Sequence, residues 1–186
     1  MQYRWGCQPY WNFMGGWSHG LALCFSRATY EGDQTIEYYV SLKDMIRGHQ
    51  KRRYVRNDIN FSFCTDGRSP SSGYSILFGG FDSPSTYLMR GDKVLASTDQ
   101  FVLPDFTNGH GDVHWRWWHF RIEKRGGRIT VYGDEKKIME AVDPDPLPGG
   151  HLAFWSVNNG MMLARVRVAA ESRTLDPRPF YCGPSK

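Results

Sequence analysis

The sequence predicts an all-β domain, and three observations carry that expectation. Aromatic residues make up 15% of the 186 residues, with 7 Trp, 10 Tyr and 11 Phe, and such side chains fit a pleated surface. The chain also has 20 glycines, which serve turns. Finally, short segments of alternating apolar and polar residues recur with turn signals between them, the pattern of a sandwich or barrel.

Taken in order, the first strand-like segment is the apolar run Leu21 to Ser26. After a turn at Tyr30-Glu-Gly-Asp33, Gln34 to Leu42 places Ile36, Tyr38, Val40 and Leu42 on one face. Asp58 to Cys64 alternates Ile59, Phe61 and Phe63 against Asn60, Ser62 and Cys64, and runs into the turn cluster TDGRSPSSG. Tyr74 to Phe78, Thr86 to Arg90 and Lys93 to Ser97 follow, the last two joined by a tight Arg90-Gly-Asp92 hairpin turn.

In the second half, Trp117 to Lys124 and Arg128 to Tyr132 flank Arg125-Gly-Gly127, a hairpin signal. Lys137 to Val142 leads into the turn DPDPLPGG, Asp143 to Gly150. His151 to Val157 and Met161 to Ala169 pair around Asn158-Asn-Gly160, a turn that hairpins favour. The one helix candidate, Leu42 to Gln50, has poor periodicity. The reading is a single domain over residues 1–170, about eleven or twelve strands, with a proline-rich tail over 171–186 lying on the surface.

Composition excludes several classes. Charged residues are 23% and hydrophobic ones 40%, outside the range of disordered chains. No run approaches the ~18 apolar residues of a membrane helix, so no membrane partner is expected. No signal peptide is visible, which places the protein in the cytoplasm, or in the periplasm or outside the cell if a leader has been removed. The net charge is +4, part of it in Arg47 to Arg56 (RGHQKRRYVR), read as a solvated loop or a groove rim. The remainder is balanced, so nucleic acid is not an expected partner.

Cys7, Cys24, Cys64 and Cys182 show no CxxC spacing. Cys24 and Cys64 read as buried free thiols, and a Cys7–Cys182 disulfide is conceivable only in an exported protein. No GxSxG, phosphate-binding loop or dinucleotide fingerprint occurs.

The segments WHFRIEKRGGRITVY, Asp143 before a proline turn, GGHLAFWSVNNG and MMLARVRV resemble the end of a laminin-G-like or concanavalin A-like domain. The similarity points to the bacterial branch that includes the 3-keto-disaccharide hydrolase domain. About 70 residues carry the resemblance; Gly15-Gly16-Trp17 and Gly32-Asp33-x-x-Ile36-Glu37-Tyr38 extend it loosely. It implies a two-sheet antiparallel β-sandwich with jelly-roll strand order, a concave sheet face that commonly serves as a glycan groove, and a structural calcium as the one cofactor in prospect. Candidate calcium ligands are Asp33, Asp143 and Asn158; no other cofactor is expected.

Alternation supports the sandwich independently. Trp118, Phe120 and Ile122 point one way and Trp117, His119, Arg121 and Glu123 the other; Ile129 and Val131 oppose Arg128, Thr130 and Tyr132. Met162, Ala164, Val166 and Val168 oppose Leu163, Arg165 and Arg167. The open face thus collects Trp117, His119, Arg121, Arg128, Tyr132, Arg165 and Arg167, with Trp115 close by. Flat aromatic rings beside donors and acceptors suit an oligo- or polysaccharide, whose C–H faces pack on π-systems while its hydroxyls need polar partners. The bland alternative is that the Trp residues are core and the Arg ladder is a solvated face with cation–π stacking.

Sandwich glycosidases use carboxylates alternating on one strand. Glu31, Asp33 and Glu37 share parity, but Glu31-Gly32-Asp33 reads as a turn in which Asp33 bonds the backbone. His110, His114 and His119 lack a metal-ligand spacing. The expectation is therefore a non-catalytic carbohydrate-binding module. Its alternatives are a glycoside hydrolase using Glu37, His119 or Glu123 in the same groove, and a structural domain with a protein partner.

Overall fold

The computed structural model describes residues 13–17, 21–43, 58–80, 85–103, 116–157 and 160–177. Eleven strands make up about three quarters of them: β1 Phe13–Trp17, β2 Leu21–Lys43, β3 Ile59–Thr65, β4 Tyr74–Phe78, β5 Thr86–Arg90, β6 Lys93–Thr98, β7 Trp118–Arg125, β8 Arg128–Gly133, β9 Lys136–Val142, β10 Gly149–Val157 and β11 Gly160–Leu175. A single 3-10 turn, Pro70–Ser72, opens on Ser69 in the loop before β4. Among the described residues no helix is long and apolar enough to cross a membrane.

Pairing is antiparallel throughout, in the order β6-β5-β4-β3-β10-β2-β7-β8-β9, with β11 on the other edge of β2 and β1 outside β11. The long strand β2 makes this one hydrogen-bonded array into two layers. Its first half, Leu21 to Glu31, pairs β10, while Gln34 to Val40 pair β7 on that same edge. Layer one is then β6-β5-β4-β3-β10 and the start of β2; layer two is β11, the end of β2, β7, β8 and β9.

The edge changes partner at Gly32, which has φ +75°, a value that glycine adopts without a Cβ penalty. Its N–H donates to Pro148 O at 2.9 Å, ending the β10 ladder. The next side chain, Asp33, accepts the Gly126 N–H of the β7–β8 turn at 2.7 Å, starting the β7 ladder. Tyr30-Glu-Gly-Asp33 is thus a bend inside one strand where the sequence predicts a turn between two. The bond that Asp33 makes to backbone runs across strands.

The layers close on an aromatic core. Tyr38 of β2 stacks on Phe120 of β7 at 5.4 Å between ring centroids and reaches across to Phe61 at 4.6 Å and Phe154 at 5.3 Å. Phe78 of β4 meets Trp118 and Phe120 edge-on at 5.5 and 5.2 Å, geometry that suits the ring quadrupole. Ile36, Tyr38, Val40 and Leu42, together with Trp118, Phe120 and Ile122, are buried as their alternation predicts. Cys64 is a buried free thiol at φ 55°, whereas Cys24, read from the sequence as buried, is only half-buried; Cys7 and Cys182, whose disulfide the sequence allows only in an exported protein, lie outside the described residues.

Two expectations are corrected in β11. Met161 and Leu163 enter the core, so the inward set is one residue out of phase with Met162, Ala164 and Val166. Arg165, at φ 51°, sits in a register shift between Ala164 and Arg167; beyond this bulge Val168 packs against the core and Val166 is exposed. In addition, residues 171–175 do not belong to a surface tail. They continue β11, with Ser172 to Leu175 pairing Glu31 to Ala28.

Candidate functional site

The outer face of layer two holds most of the predicted residues, aligned by strand register. One row runs Arg167 of β11, Glu37 of β2, Arg121 of β7 and Tyr132 of β8. The adjacent row pairs Tyr39 with His119. The Arg121 guanidinium lies 3.7 Å from the Tyr132 ring centroid and also bonds the Glu123 carboxylate. Tyr39 and His119 stack at 4.5 Å with 25° between planes. Two flat, half-buried surfaces therefore lie side by side, with donors and acceptors at their edges.

The β8–β9 turn fixes one end of this face. Asp134 and Glu135 both have positive φ, 46° and 67°, the combination of a two-residue hairpin loop matched to strand twist. Asp134 accepts the His119 N–H at 2.9 Å, and Glu135 pairs with His119 Nδ1 at 2.7 Å. At the other end Glu140 collects Arg128 at 2.7 Å, Lys137 at 3.1 Å and Thr130 at 3.2 Å. The Lys137 hydrogen bond leads, with Thr130 and Arg128 adding, in holding the Glu140 carboxyl below its usual range against its desolvation.

The predicted set divides accordingly. His119, Arg121 and Tyr132 come together, with Arg167 at the end of their row. Arg128 lies toward the far end and is tied to Glu140, and Arg165 is exposed in the bulge. Trp117 immediately precedes β7 and is half-buried, while Trp115 lies outside the described residues, as do Arg47 to Arg56, His110, His114 and Asn158. Of the residues suggested for catalysis, Glu37 and Glu123 share this face with His119; Arg121 holds Glu123, and Glu37 makes no ion pair among the described residues. Tyr39 was missed by sequence reasoning, although it has the parity of Glu37.

The outer face of layer one is of another kind. Asn60, Ser62 and Ser75 point away from the core, yet Asn60 is 1% and Ser62 0% exposed. Trp155 Nε1 donates to Ser62 Oγ at 2.9 Å, and the Ser62 and Ser75 hydroxyls are 2.8 Å apart. Asn60 donates through its amide nitrogen to Asp58, while its Oδ1 has no partner among the described residues.

Of the three residues named as calcium ligands, Asp143 and Asp33 already have hydrogen-bond partners, and Asn158 lies outside the described residues. Both Asp143 oxygens receive Arg90 Nη1 at 2.8 Å; Tyr74 Oη adds a bond at 2.7 Å and the Asp145 N–H one at 3.1 Å. Burial works against this carboxylate, but those hydrogen bonds and the Arg90 charge outweigh it and hold the Asp143 carboxyl below its usual range. A cation would have to displace a guanidinium there. Asp33 Oδ1 is engaged by Gly126. Among the described residues no group of three His, Cys, Asp or Glu is arranged to hold a metal ion.

No protein-family model and no curated sequence matches the chain. Among solved structures it is similar to carbohydrate binding module CBM66 from Bacillus subtilis, with TM-score 0.64 and 18% identity over 91% of this chain and 92% of that one. It is also similar to a Bacillus subtilis protein of unknown function with a galectin-like fold, with TM-score 0.62 and 13% identity over 90% and 87%. A third similarity is to a putative glycosyl hydrolase from Parabacteroides distasonis ATCC 8503, with TM-score 0.55 and 13% identity over 89% of each chain. At such identities the likeness is one of fold. The chain has the concanavalin A-like jelly-roll fold that its sequence predicts, a fold it shares with the galectin-like neighbour.

Proposed function

We propose that this domain binds a glycan, non-catalytically, on the outer face of layer two. The observation that carries the reading is the Arg121 guanidinium placed over the Tyr132 ring, 3.7 Å from its centroid, in register with Glu37 and Arg167. A sugar ring laid against the Arg121–Tyr132 and Tyr39–His119 stacks would pack its C–H face on the ring surface that these stacks leave uncovered. Arg121 and Arg167 donate to its hydroxyls, and Glu37 accepts from them. Likeness in fold to a carbohydrate binding module supports the class of ligand.

Glycan-array screening followed by calorimetry tests it. Tyr132→Ala and Arg121→Ala should each weaken a bound oligosaccharide at least tenfold; unchanged binding in both would remove the face from consideration.

One observation favours a second face. Asn60 Oδ1, beside the Trp155–Ser62 bond on layer one, is a buried acceptor with no partner among the described residues, and such groups carry a cost until a donor reaches them. If the sugar sits there, Asn60→Ala and Trp155→Phe lose binding while the layer-two variants keep it.

The hydrolytic alternative rests on Glu37 and Glu123. They are diagonal neighbours across β2 and β7, with α-carbons about 7–8 Å apart by strand geometry, a spacing that the carboxyls of an inverting hydrolase can span. Turnover of a 3-keto-glycoside, lost in Glu37→Gln, would establish it; binding without turnover leaves the module reading in place.

A further inference from the structure

The change of partner at Gly32 leaves a hollow. The β10 ladder stops at Gly32, the β7 ladder begins beyond it, and Pro146 and Pro148 before β10 line the hollow together with Gly126 of the β7–β8 turn. The cleft between them has a volume of about 430 Å³ and is lined by Glu31, Asp33, Lys124, Leu147, Pro148 and Glu171, among others. That volume falls within the ~300–1,000 Å³ of small-ligand clefts.

Lys124 faces inward on β7 and is 4% exposed, yet it lines this cleft. Among the described residues its ammonium makes one hydrogen bond, to Gly32 O at 3.1 Å, and pairs with no carboxylate. Two of its three N–H donors thus have no partner among those residues. Opposite it, Glu31 and Glu171 are exposed and likewise make no ion pair among the described residues. The Glu171 carboxylate lies directly over Gly32, where a β-carbon would overlap it.

We infer that this cleft is a saccharide subsite that takes one neutral sugar ring, an inference that rests on the carbohydrate-binding reading and assigns it a second place on the molecule. Each carboxylate has two acceptor oxygens and can take a pair of neighbouring hydroxyls. Lys124 turns its remaining donors to a hydroxyl or ring oxygen, and Leu147 and Pro148 offer apolar surface to the C–H face. Three carboxylates against one ammonium disfavour an acidic sugar. The same ammonium disfavours a metal ion, which would share the cleft with a positive charge.

The test is a 15N-edited NMR titration of the full chain with methyl glycosides of glucose, galactose and mannose, their disaccharides, and galacturonate as the acidic control. The expected result is a shift of the Gly32, Gly126 and Ser172 amides with a neutral sugar and a weaker response to galacturonate. Affinity should fall at least tenfold in the surface double variant Glu31→Ala/Glu171→Ala, whose fold is checked from the rest of its spectrum. Neutral sugars that move only amides near Arg121 and Tyr132 or near Trp155, with wild-type affinity in the double variant, would overturn the subsite and leave the general reading standing. Galacturonate binding more tightly than the neutral sugars would also overturn it. If no sugar moves any amide, the subsite and the carbohydrate reading fall together.

Discussion

The phenol of Tyr74, on β4 in layer one, donates a 2.7 Å hydrogen bond to Asp143, the residue that opens the turn between β9 and β10. The same oxygen accepts the Leu147 N–H at 3.0 Å, and Arg90 closes over the carboxylate from β5. This contact ties the second layer's last strand to the first layer through a connection that carries three prolines.

Tyr74→Phe therefore leaves the Leu147 N–H without its partner and takes one of two donors from Asp143 Oδ2, which keeps Arg90. The expected cost is about 2 kcal/mol, in the range for a buried hydrogen bond to a charged group, read from the urea midpoint. Acid dependence follows from the same site. The folded Asp143 carboxyl sits below its ordinary value, so its contribution is complete above the unfolded value of about 3.9. It is lost as pH falls through the lower folded value. Asp143→Asn should be less stable at neutral pH and should show a flatter decline between about pH 5 and pH 2. A variant whose acid unfolding curve keeps the wild-type slope would show that the carboxylate is not ionised in the fold.

Gly32→Ala strains the strand in two separable ways. Its φ of +75° costs an L-residue about 1–2 kcal/mol, and the new methyl would meet the Glu171 side chain. The exposed Glu171 carboxylate can swing away, but its Cβ, 2.9 Å from the new methyl, cannot, and it stays in place in Glu171→Ala. In a double-mutant cycle with Glu171→Ala, most of the loss should persist. Complete rescue by Glu171→Ala would mean that the backbone there is not held in the left-handed region.

The strands and their inward faces were legible because a period of two leaves little choice when one face is apolar. Ile36, Tyr38, Val40 and Leu42 read directly, as do Trp118, Phe120 and Ile122. In β11 the phase is hidden, since Met161, Met162 and Leu163 are apolar on both faces and Arg165 adds a bulge residue. At Gly32 the local signal of a bend equals that of a turn; the Pro148 contact that distinguishes them is 116 residues away in sequence. The layer-two face followed from parity, but the Tyr39–His119 stack needed the register between β2 and β7, which parity does not supply. Nor does alternation reveal that Asn60 and Ser62, pointing away from the core, are buried.

Burial raises the Cys64 thiol to about 11, against smaller opposing effects of Lys124 and a hydrogen bond from Gln34. At pH 8 its thiolate fraction is then about a thousandth, against about a quarter for a free thiol of pKa 8.5. Alkylation by iodoacetamide, followed by peptide mass mapping, should find Cys64 modified at least two-hundred-fold more slowly in native protein than in urea. Native-state labelling as fast as in urea would contradict its burial.

The layer-two network should matter little to stability. Arg121 and Glu123 are each 26% exposed, and a pair of that kind is worth roughly 0–1 kcal/mol. An exposed cation–π contact such as the one with Tyr132 adds about 0.5–1. Arg121→Ala is thus expected to lower the unfolding free energy by about 0.5–2 kcal/mol, measured by urea titration, while lowering glycan affinity at least tenfold. Arg121→Lys keeps the charge but loses the planar stack and the fork of donors, so it should rescue stability and not binding. Full rescue of binding by lysine would show that charge alone is used, and the flat stack would then have no part in recognition. A loss of several kcal/mol in Arg121→Ala would mark the network as structural and shift the binding site to another face.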